Sequence, residues 1–425
     1  MVLDYKDISC QSLPTLATPT DLTEIRHALK QDQCTENDIE ARTHKQLSGR
    51  HPSAGTQQLS PVAAPNSGLV TECFEKLSAH DLQEWEDFWS GAEHQHPRQH
   101  PIFAAQEVAK GRKVIFATGR RNSTLCALAV ITLVPHAIIP GIWVRAYCQS
   151  GPICDDAETM KEFLDDLLCH PSLERVGSLH ITPYWLNDDA KSLSTLLDAG
   201  NWREAEGATY RSTGLVDLDQ PLETIFEKMS KSARRETRRA SRQGIYIKPI
   251  DKKEEAELFF SSLNRLRSSR GLPNVSWREF NAAFEKVLRP GNFGTILSAW
   301  KGNEFLAGIW VVRSNKTAHG SHFTTETEPL RAAGNLRIAP AIWLEAMRWA
   351  KERGCVKLDL EGYAMPRPGE EKYNIYKYKS EFRPSEVIRI AERKKAVSTL
   401  ARILIPPHYI VEKALNLIRR KMPPY

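Results

Sequence analysis

The sequence predicts an α/β fold made of two similar halves. Three observations carry that expectation. From about residue 69 the chain runs twice through helix, three β-rich runs, helix, strand, helix and strand. The strand candidates are rich in Val, Ile, Leu and aromatic residues and lie between polar, Gly or Pro turns. The helical candidates place apolar residues at three- and four-residue spacing, and several stop at glycine.

The elements follow in order. Residues 1–68 are rich in Ser, Thr, Gln, Pro and charge, with Tyr5 as their only aromatic. Such a stretch buries too little apolar surface to offset its ordering entropy, so a disordered tail is expected, with a short helix around Leu22–Gln31. The first half, residues 69–222, opens with SAHDLQEWEDFW, where Ser78 is an N-cap without the Glu that would complete a capping box. A helical segment at Ile102–Lys110 and three strands in KVIFATG, LCALAVITLV and GIWVRAYCQSG come next. DDAETMKEFLDDLL is an amphipathic helix, SLHITPYW a strand, AKSLSTLLDAG a helix, and a strand ends near GLVDLDQ.

The second half, residues 223–392, repeats the order. KKEEAELFFSSLNRLRSSRG is a helix, and TILSAWKG, FLAGIWVVRSN and AHGSHFTTE are strands. APAIWLEAMRWAKERG is a helix with Pro340 in its first turn and Gly354 at its end. CVKLDLEG, EEKYNIYKYK and SEVIRIAE read as strand, helix and strand, and residues 393–425 as an amphipathic C-terminal helix, basic at its end. That last helix either docks on the body or touches an anionic membrane surface.

Composition narrows the function classes. The 425 residues are 41% hydrophobic and 26% charged, as in ordinary globular proteins. No secretion signal and no apolar run of membrane-spanning length is present, so a cytoplasmic protein, at most peripheral at the inner face of the membrane, is expected. Eight cysteines without paired spacing suit a reducing compartment. The three histidines of HQHPRQH (His94, His96, His100) lie in a proline-broken loop without a carboxylate or Cys in register, so no metal is expected.

Net charge is only +6, so the basic signal is local. KMSKSARRETRRASR, residues 228–242, holds seven cations and one carboxylate. On a helix over residues 225–243, at about 100° per residue, these cations fall within an arc of roughly 140°. Met229, Ala233 and Ala240 face the other way. Like charges on one face repel unless an anion joins them. Arginine outnumbers lysine five to two, which favours bidentate phosphate contacts. A solvated helix face is the simpler alternative, and no interleaved aromatic indicates base stacking.

These motifs resemble a family. The duplicated pattern, SKSARRETRRASRQGI, LRIAPAIWLEAMRWAKERGCVKLDLEG and the closing YKSEF look like the Fem-type aminoacyltransferases, the FemABX-like branch of the GNAT superfamily. RAYCQSGPICDD and LHITPYW fit the same pattern, and the resemblance spans about residues 75–390. It implies two tandem GNAT-like domains, each a mixed central sheet with flanking helices. It implies transfer of an amino acid from aminoacyl-tRNA to the amine of a cell-wall precursor, and no cofactor. The chain departs from the pattern at AHGSHFTTE, where His319 and His322 stand where tyrosines are common, and the long helical hairpin of some members is missing. These departures leave the acceptor open.

Amide formation from an ester donor needs an amine near the carbonyl, a cation for the developing oxyanion and a hold on charged reactants. No GxSxG and no Cys–His arrangement is present, so direct attack in a ternary complex is expected. By resemblance Lys379, preceded by Tyr378, matches the family's Phe-Lys lysine, and would steady the oxyanion or the leaving ribose oxygen. Asp359 and Glu361 share one face at the end of KLDLEG and could orient or deprotonate the amine. His322 is a further base candidate. Lys231, Arg234, Arg235 and Arg238, with Tyr378, are expected to bind a phosphorylated acceptor or the tRNA. The alternative is an acyl-CoA-dependent N-acyltransferase acting on an amino sugar or small amine. Its fingerprint is weak: RAAGNL starts correctly at Arg331 and Gly334 but has Leu336 where Gly or Ala is needed.

Overall fold

The computed structural model describes residues 68–135, 143–205, 212–363 and 373–397. The expected N-terminal tail with its Leu22–Gln31 helix, and the C-terminal stretch from residue 398, lie outside the described residues.

Among the described residues fifteen strands form two sheets. They are β1 (Leu69–Phe74), β2 (Lys113–Arg121), β3 (Thr124–Pro135), β4 (Trp143–Cys148), β5 (Ile153–Cys154), β6 (Ser178–Ile181), β7 (Arg203–Glu204) and β8 (Ser212–Asp217). There follow β9 (Ile245–Pro249), β10 (Gly294–Lys301), β11 (Glu304–Arg313), β12 (Thr317–Thr325), β13 (Lys357–Asp359), β14 (Ser385–Ile388) and β15 (Arg393–Ala396). The first sheet runs β1-β2-β3-β4-β6-β15-β7 with β5 on β3, and the second β14-β8-β13-β12-β11-β10-β9.

Each sheet is covered on both faces, and strand periodicity shows it. β3 is buried from Cys126 to Leu133. Its Ala127, Ala129, Ile131 and Leu133 pack with Phe163, Leu164 and Leu167 of the helix Ala157–Cys169. The alternating Leu128 and Val130 pack with Trp85 and Trp89 of the helix Ala79–Gly91. The second sheet repeats the arrangement. Ala307, Ile309 and Val311 of β11 meet Ile342, Trp343 and Met347 of the helix Ala339–Glu352. Trp310 turns to Phe259, Phe280 and Phe284 on the other face. Gly308 admits that second layer closely, since a Cβ there would lie 2.6 Å from the Phe259 ring.

The two sheets exchange strands. β8 closes the first half in sequence yet pairs with β13 (Leu358↔Val216) and β14 (Val387↔Thr213). β15 follows the second half yet pairs with β6 (Lys394↔His180) and β7 (Arg393↔Glu204). Residues 393–396 are therefore strand, where the sequence suggested the start of a terminal helix. Around them Glu392 meets His180 at 2.7 Å and Arg393 meets Asp198 at 2.5 Å.

Three local details differ from expectation. The helix expected over residues 225–243 is two helices, Leu222–Lys228 and Lys231–Arg242. Ser230 leaves helical geometry, and its Oγ accepts from the Ala233 amide at 3.0 Å, so it restarts the helix as an N-cap. Ser78 does have its capping box: Asp81 supplies the reciprocal carboxylate. A helix at Trp277–Ala283, with its own Ser276–Glu279 capping box, lies where no element was expected.

Candidate functional site

β12 and β13 are parallel neighbours over only three pairs, the last being His319↔Asp359. β12 continues to Thr325 while β13 stops. A register irregularity opposite Gly308–Trp310, with His322 at φ 46°, turns the far part of β12. The two strands thus part just beyond Asp359, and the site candidates gather at that parting.

Asp359 is fully buried. Its carboxylate accepts from Tyr184 Oη at 2.7 Å, from Thr213 Oγ1 and from the Glu361 amide at 2.7 Å. His319 Nδ1 lies 3.6 Å away. Those donors come from β8, from the connection just past β6 and from the chain just past Asp359. A buried carboxylate needs such a set to remain tolerable. The chain then turns through Glu361 and Gly362, both left-handed (φ 52° and 41°). For Glu361 that conformation costs on the order of 1 kcal/mol or more, and such strain is found where a backbone group must be aimed.

The turn aims two carbonyls at Lys379. This residue lies on the helix Tyr373–Ser380, and its Nζ donates to the carbonyls of Glu361 and, at 3.2 Å, of Gly362. Lys379 is 4% exposed, which for a lysine is rare and marks it out from its solvent-facing neighbour Lys377. Burial pulls its ammonium down to about 8, against the opposing pull of Glu361 and Asp359. Lys379, Asp359 and Glu361, named from the sequence, are brought together here.

His322 is not. Its ring lies 5.1 Å from Trp310, and no hydrogen bond among the described residues joins it to Asp359 or Lys379. The histidine beside the carboxylate is His319, three positions earlier on β12, where it pairs with Val312 before the irregularity. It is buried, with Nε2 lacking a hydrogen-bond partner among the described residues. Burial lowers its pKa, and Asp359 opposes this.

The first half supplies residues that the sequence did not place at this site. His96 lies 4.3 Å from His319 and 5.1 Å from Tyr184, ring to ring, both pairs tilted. Burial, reinforced by nearby His319, Arg98 and Arg389, holds His96 well below its ordinary range. His96 and His100 also cap their own 3₁₀ turns, accepting from the Arg98 and Ile102 amides at 3.1 and 3.3 Å. His94 stacks on Trp185 at 4.1 Å. Among the described residues the grouping with metal-like spacing is elsewhere, at the exposed-side cluster His80, Asp81 and Glu84.

The basic helix Lys231–Arg242 buries Ala233 and Ala240 as its wheel predicts, and buries Glu236 beside them. Glu236 holds Arg235 at 3.2 Å and Arg239 at 3.4 Å, and Arg239 donates to the Gly334 carbonyl at 2.6 Å. Lys231, Arg234 and Arg238 have no carboxylate partner among the described residues. Arg238 lies over the Phe226 ring at 5.1 Å. The Arg234 Nε is buried without a hydrogen-bond partner among the described residues. The helix start adjoins the lysine's helix: the Ser230 amide donates to the Glu381 carbonyl at 2.8 Å. Arg337, also missed in the sequence, clasps both, donating to Glu381 at 2.7 Å and to Ser232 Oγ at 3.1 Å. Tyr378 packs between Phe323 and Phe382, its hydroxyl buried without a partner among the described residues. Burial raises that phenol well above its ordinary value.

The RAAGNL loop has a different use from the one its fingerprint suggests. The amides of Ala333, Gly334, Asn335 and Leu336 all donate to carbonyls of residues 329–331. They close the short helix Thr327–Ala332 and are not turned outward in the way a pyrophosphate requires.

Residues 227–379 match the family model described as acetyltransferase (GNAT) domain. No curated protein matches the sequence. Among solved structures, FemX superposes with a TM-score of 0.64 at 13% identity, over 76% of this chain and 96% of its own. A conserved protein of unknown function from Bacteroides thetaiotaomicron gives a TM-score of 0.50 at 11% identity, over 77% and 100%. L-PGS from Bacillus licheniformis gives 0.46 at 12% identity, over 79% and 97%. The described chain thus has a tandem GNAT-like fold of the Fem-like kind, and none of its described helices is long and apolar enough to cross a membrane.

Proposed function

We propose that this Fem-like tandem GNAT chain is an aminoacyltransferase, moving an aminoacyl group from aminoacyl-tRNA to the amine of a phosphorylated acceptor such as a cell-wall precursor. The observation that carries this reading is Lys379: a buried lysine beside Asp359 and Glu361, where the strands of a GNAT-like sheet part.

The chemistry follows from the ammonium's three protons. Two are directed at the Glu361 and Gly362 carbonyls, which fixes where the third points. The acceptor amine attacks the ester carbonyl, and the carbonyl oxygen takes negative charge that the third proton steadies. The carbon–ribose oxygen bond then breaks as the amide bond is completed. The ribose oxygen leaves with a proton and the amine gives one up. Glu361 is our candidate to take the amine's proton. Asp359 is fully enclosed by its donors, so of the two roles open to it the orienting one remains. Lys231, Arg234 and Arg238 supply side-chain charge for phosphates. The internally bonded amides of residues 333–336 favour this donor over acyl-CoA.

The test is incubation with labelled aminoacyl-tRNA or labelled acetyl-CoA and a panel of amines. Transfer from aminoacyl-tRNA, abolished by RNase, is expected. RNase-insensitive transfer from acetyl-CoA would replace this reading with the N-acyltransferase of small amines.

A further inference from the structure

We propose that Tyr184, which lies in the connection just past β6 of the first sheet, is a positioning residue that fixes Lys379 beside the second through a buried chain of hydrogen bonds. It rests on the reading of Lys379 above for its functional meaning, but not for its physics.

The chain has three links. Tyr184 Oη donates to Asp359 Oδ2 at 2.7 Å. The other oxygen of Asp359 accepts the Glu361 amide at 2.7 Å, which pins the left-handed turn. The carbonyl of that same Glu361 accepts from Lys379 Nζ. No link is solvent-exposed at its polar end except the turn itself: Tyr184, Asp359 and Lys379 are 5%, 0% and 4% exposed. In so dry a place each bond is worth more than at a surface, and an unmade one costs more.

The tyrosine is itself held from several sides. His96 and His319 lie 5.1 and 5.3 Å from its ring, and the Arg389 guanidinium lies 5.1 Å over it. Burial, and then Asp359, keep its hydroxyl protonated far above neutrality, so it acts as a donor throughout the working range. A hydrogen bond to Asp359 from within the second half would have served the carboxylate equally well. Taking it from the connection just past β6 makes the lysine's setting depend on how the first sheet is seated.

Tyr184→Phe tests this, because the ring packing stays and only the hydroxyl goes. The readout is the pH titration of Lys379, followed by the Cε signal of lysine-labelled protein and assigned by its loss in Lys379→Gln. Wild type should titrate near 8. In Tyr184→Phe the turn loosens and water reaches the ammonium, so the midpoint should rise by at least one unit. Hydrogen exchange of the Glu361 amide should quicken about tenfold. Asn315→Ala is the control: its amide group spans the halves elsewhere, donating to the Ser90 carbonyl at 3.1 Å. It should move neither signal. An unchanged midpoint in Tyr184→Phe, or an equal shift in Asn315→Ala, overturns the proposal. Neither measurement needs turnover. A shifted midpoint in a protein that transfers nothing would refute the proposed function and leave this coupling standing.

Discussion

A lysine pulled from its ordinary value of 10.5 to about 8 by burial disfavours the folded state at neutral pH by on the order of 3 kcal/mol. Few purely structural lysines carry that cost, since a methionine would fill the space without it. The sign is definite. Below 8 the ammonium is charged in both states and the penalty is complete; it fades as pH rises toward 10.5. Wild type should therefore gain stability relative to Lys379→Met between these values, measured by denaturant unfolding at a series of pH values. The neutral histidines act at the other end. Burial lowers His96 and His319 in the folded state, so the unfolded chain binds more protons below about 6.5. Stability should fall as pH drops from there, and His319→Gln should flatten the profile. At this scale the sequence was informative about charge but not about facing. Lys379 and Asp359 were legible because residue type and resemblance agreed. His319 and His322 were not separable, because the irregularity that sets their facing lies in the pairing of β11 with β12.

The basic helix is the element on which charge counting and structure diverge. Seven cations and one carboxylate suggested a fully available stripe. The carboxylate, Glu236, is buried and engages Arg235 and Arg239, which leaves Lys231, Arg234 and Arg238 without acidic partners among the described residues. The wheel already contained part of this, since Glu236 projects toward the side of Ala233 and Ala240. The break at Ser230 was harder to see, because a serine within a helical run is an N-cap only if the chain turns there. An Arg234→Ala, Arg238→Ala double variant should weaken tRNA binding and reduce the salt slope of log K by about 1.4 to 1.8. Arg235→Ala should change the slope less, since Glu236 already holds that charge. Equal slopes for both, in binding titrations from low to moderate salt, would contradict the assignment.

Across the whole molecule, the two sheets are interdependent. β8 lies between β13 and β14, and β15 lies between β6 and β7, so each half completes the other. The alternating residues of β3 and β11 made both sheets readable in advance. The exchange was not readable, because β15 is the short polar run RKKA and its partner β6 lies more than two hundred residues earlier in the chain. Such a pairing leaves no local trace in sequence. Residues 68–220 expressed alone lack β15 and should fail to give a cooperative unfolding transition, as followed by circular dichroism. Cooperative unfolding of that fragment would show that the exchange is dispensable.

The most direct measurement is the rate of label transfer from aminoacyl-tRNA by wild type and by Lys379→Ala, with unfolding curves confirming that both are folded. Loss of one well-aimed oxyanion donor should slow transfer about 100- to 1,000-fold. A folded Lys379→Ala protein that transfers at the wild-type rate would contradict the account.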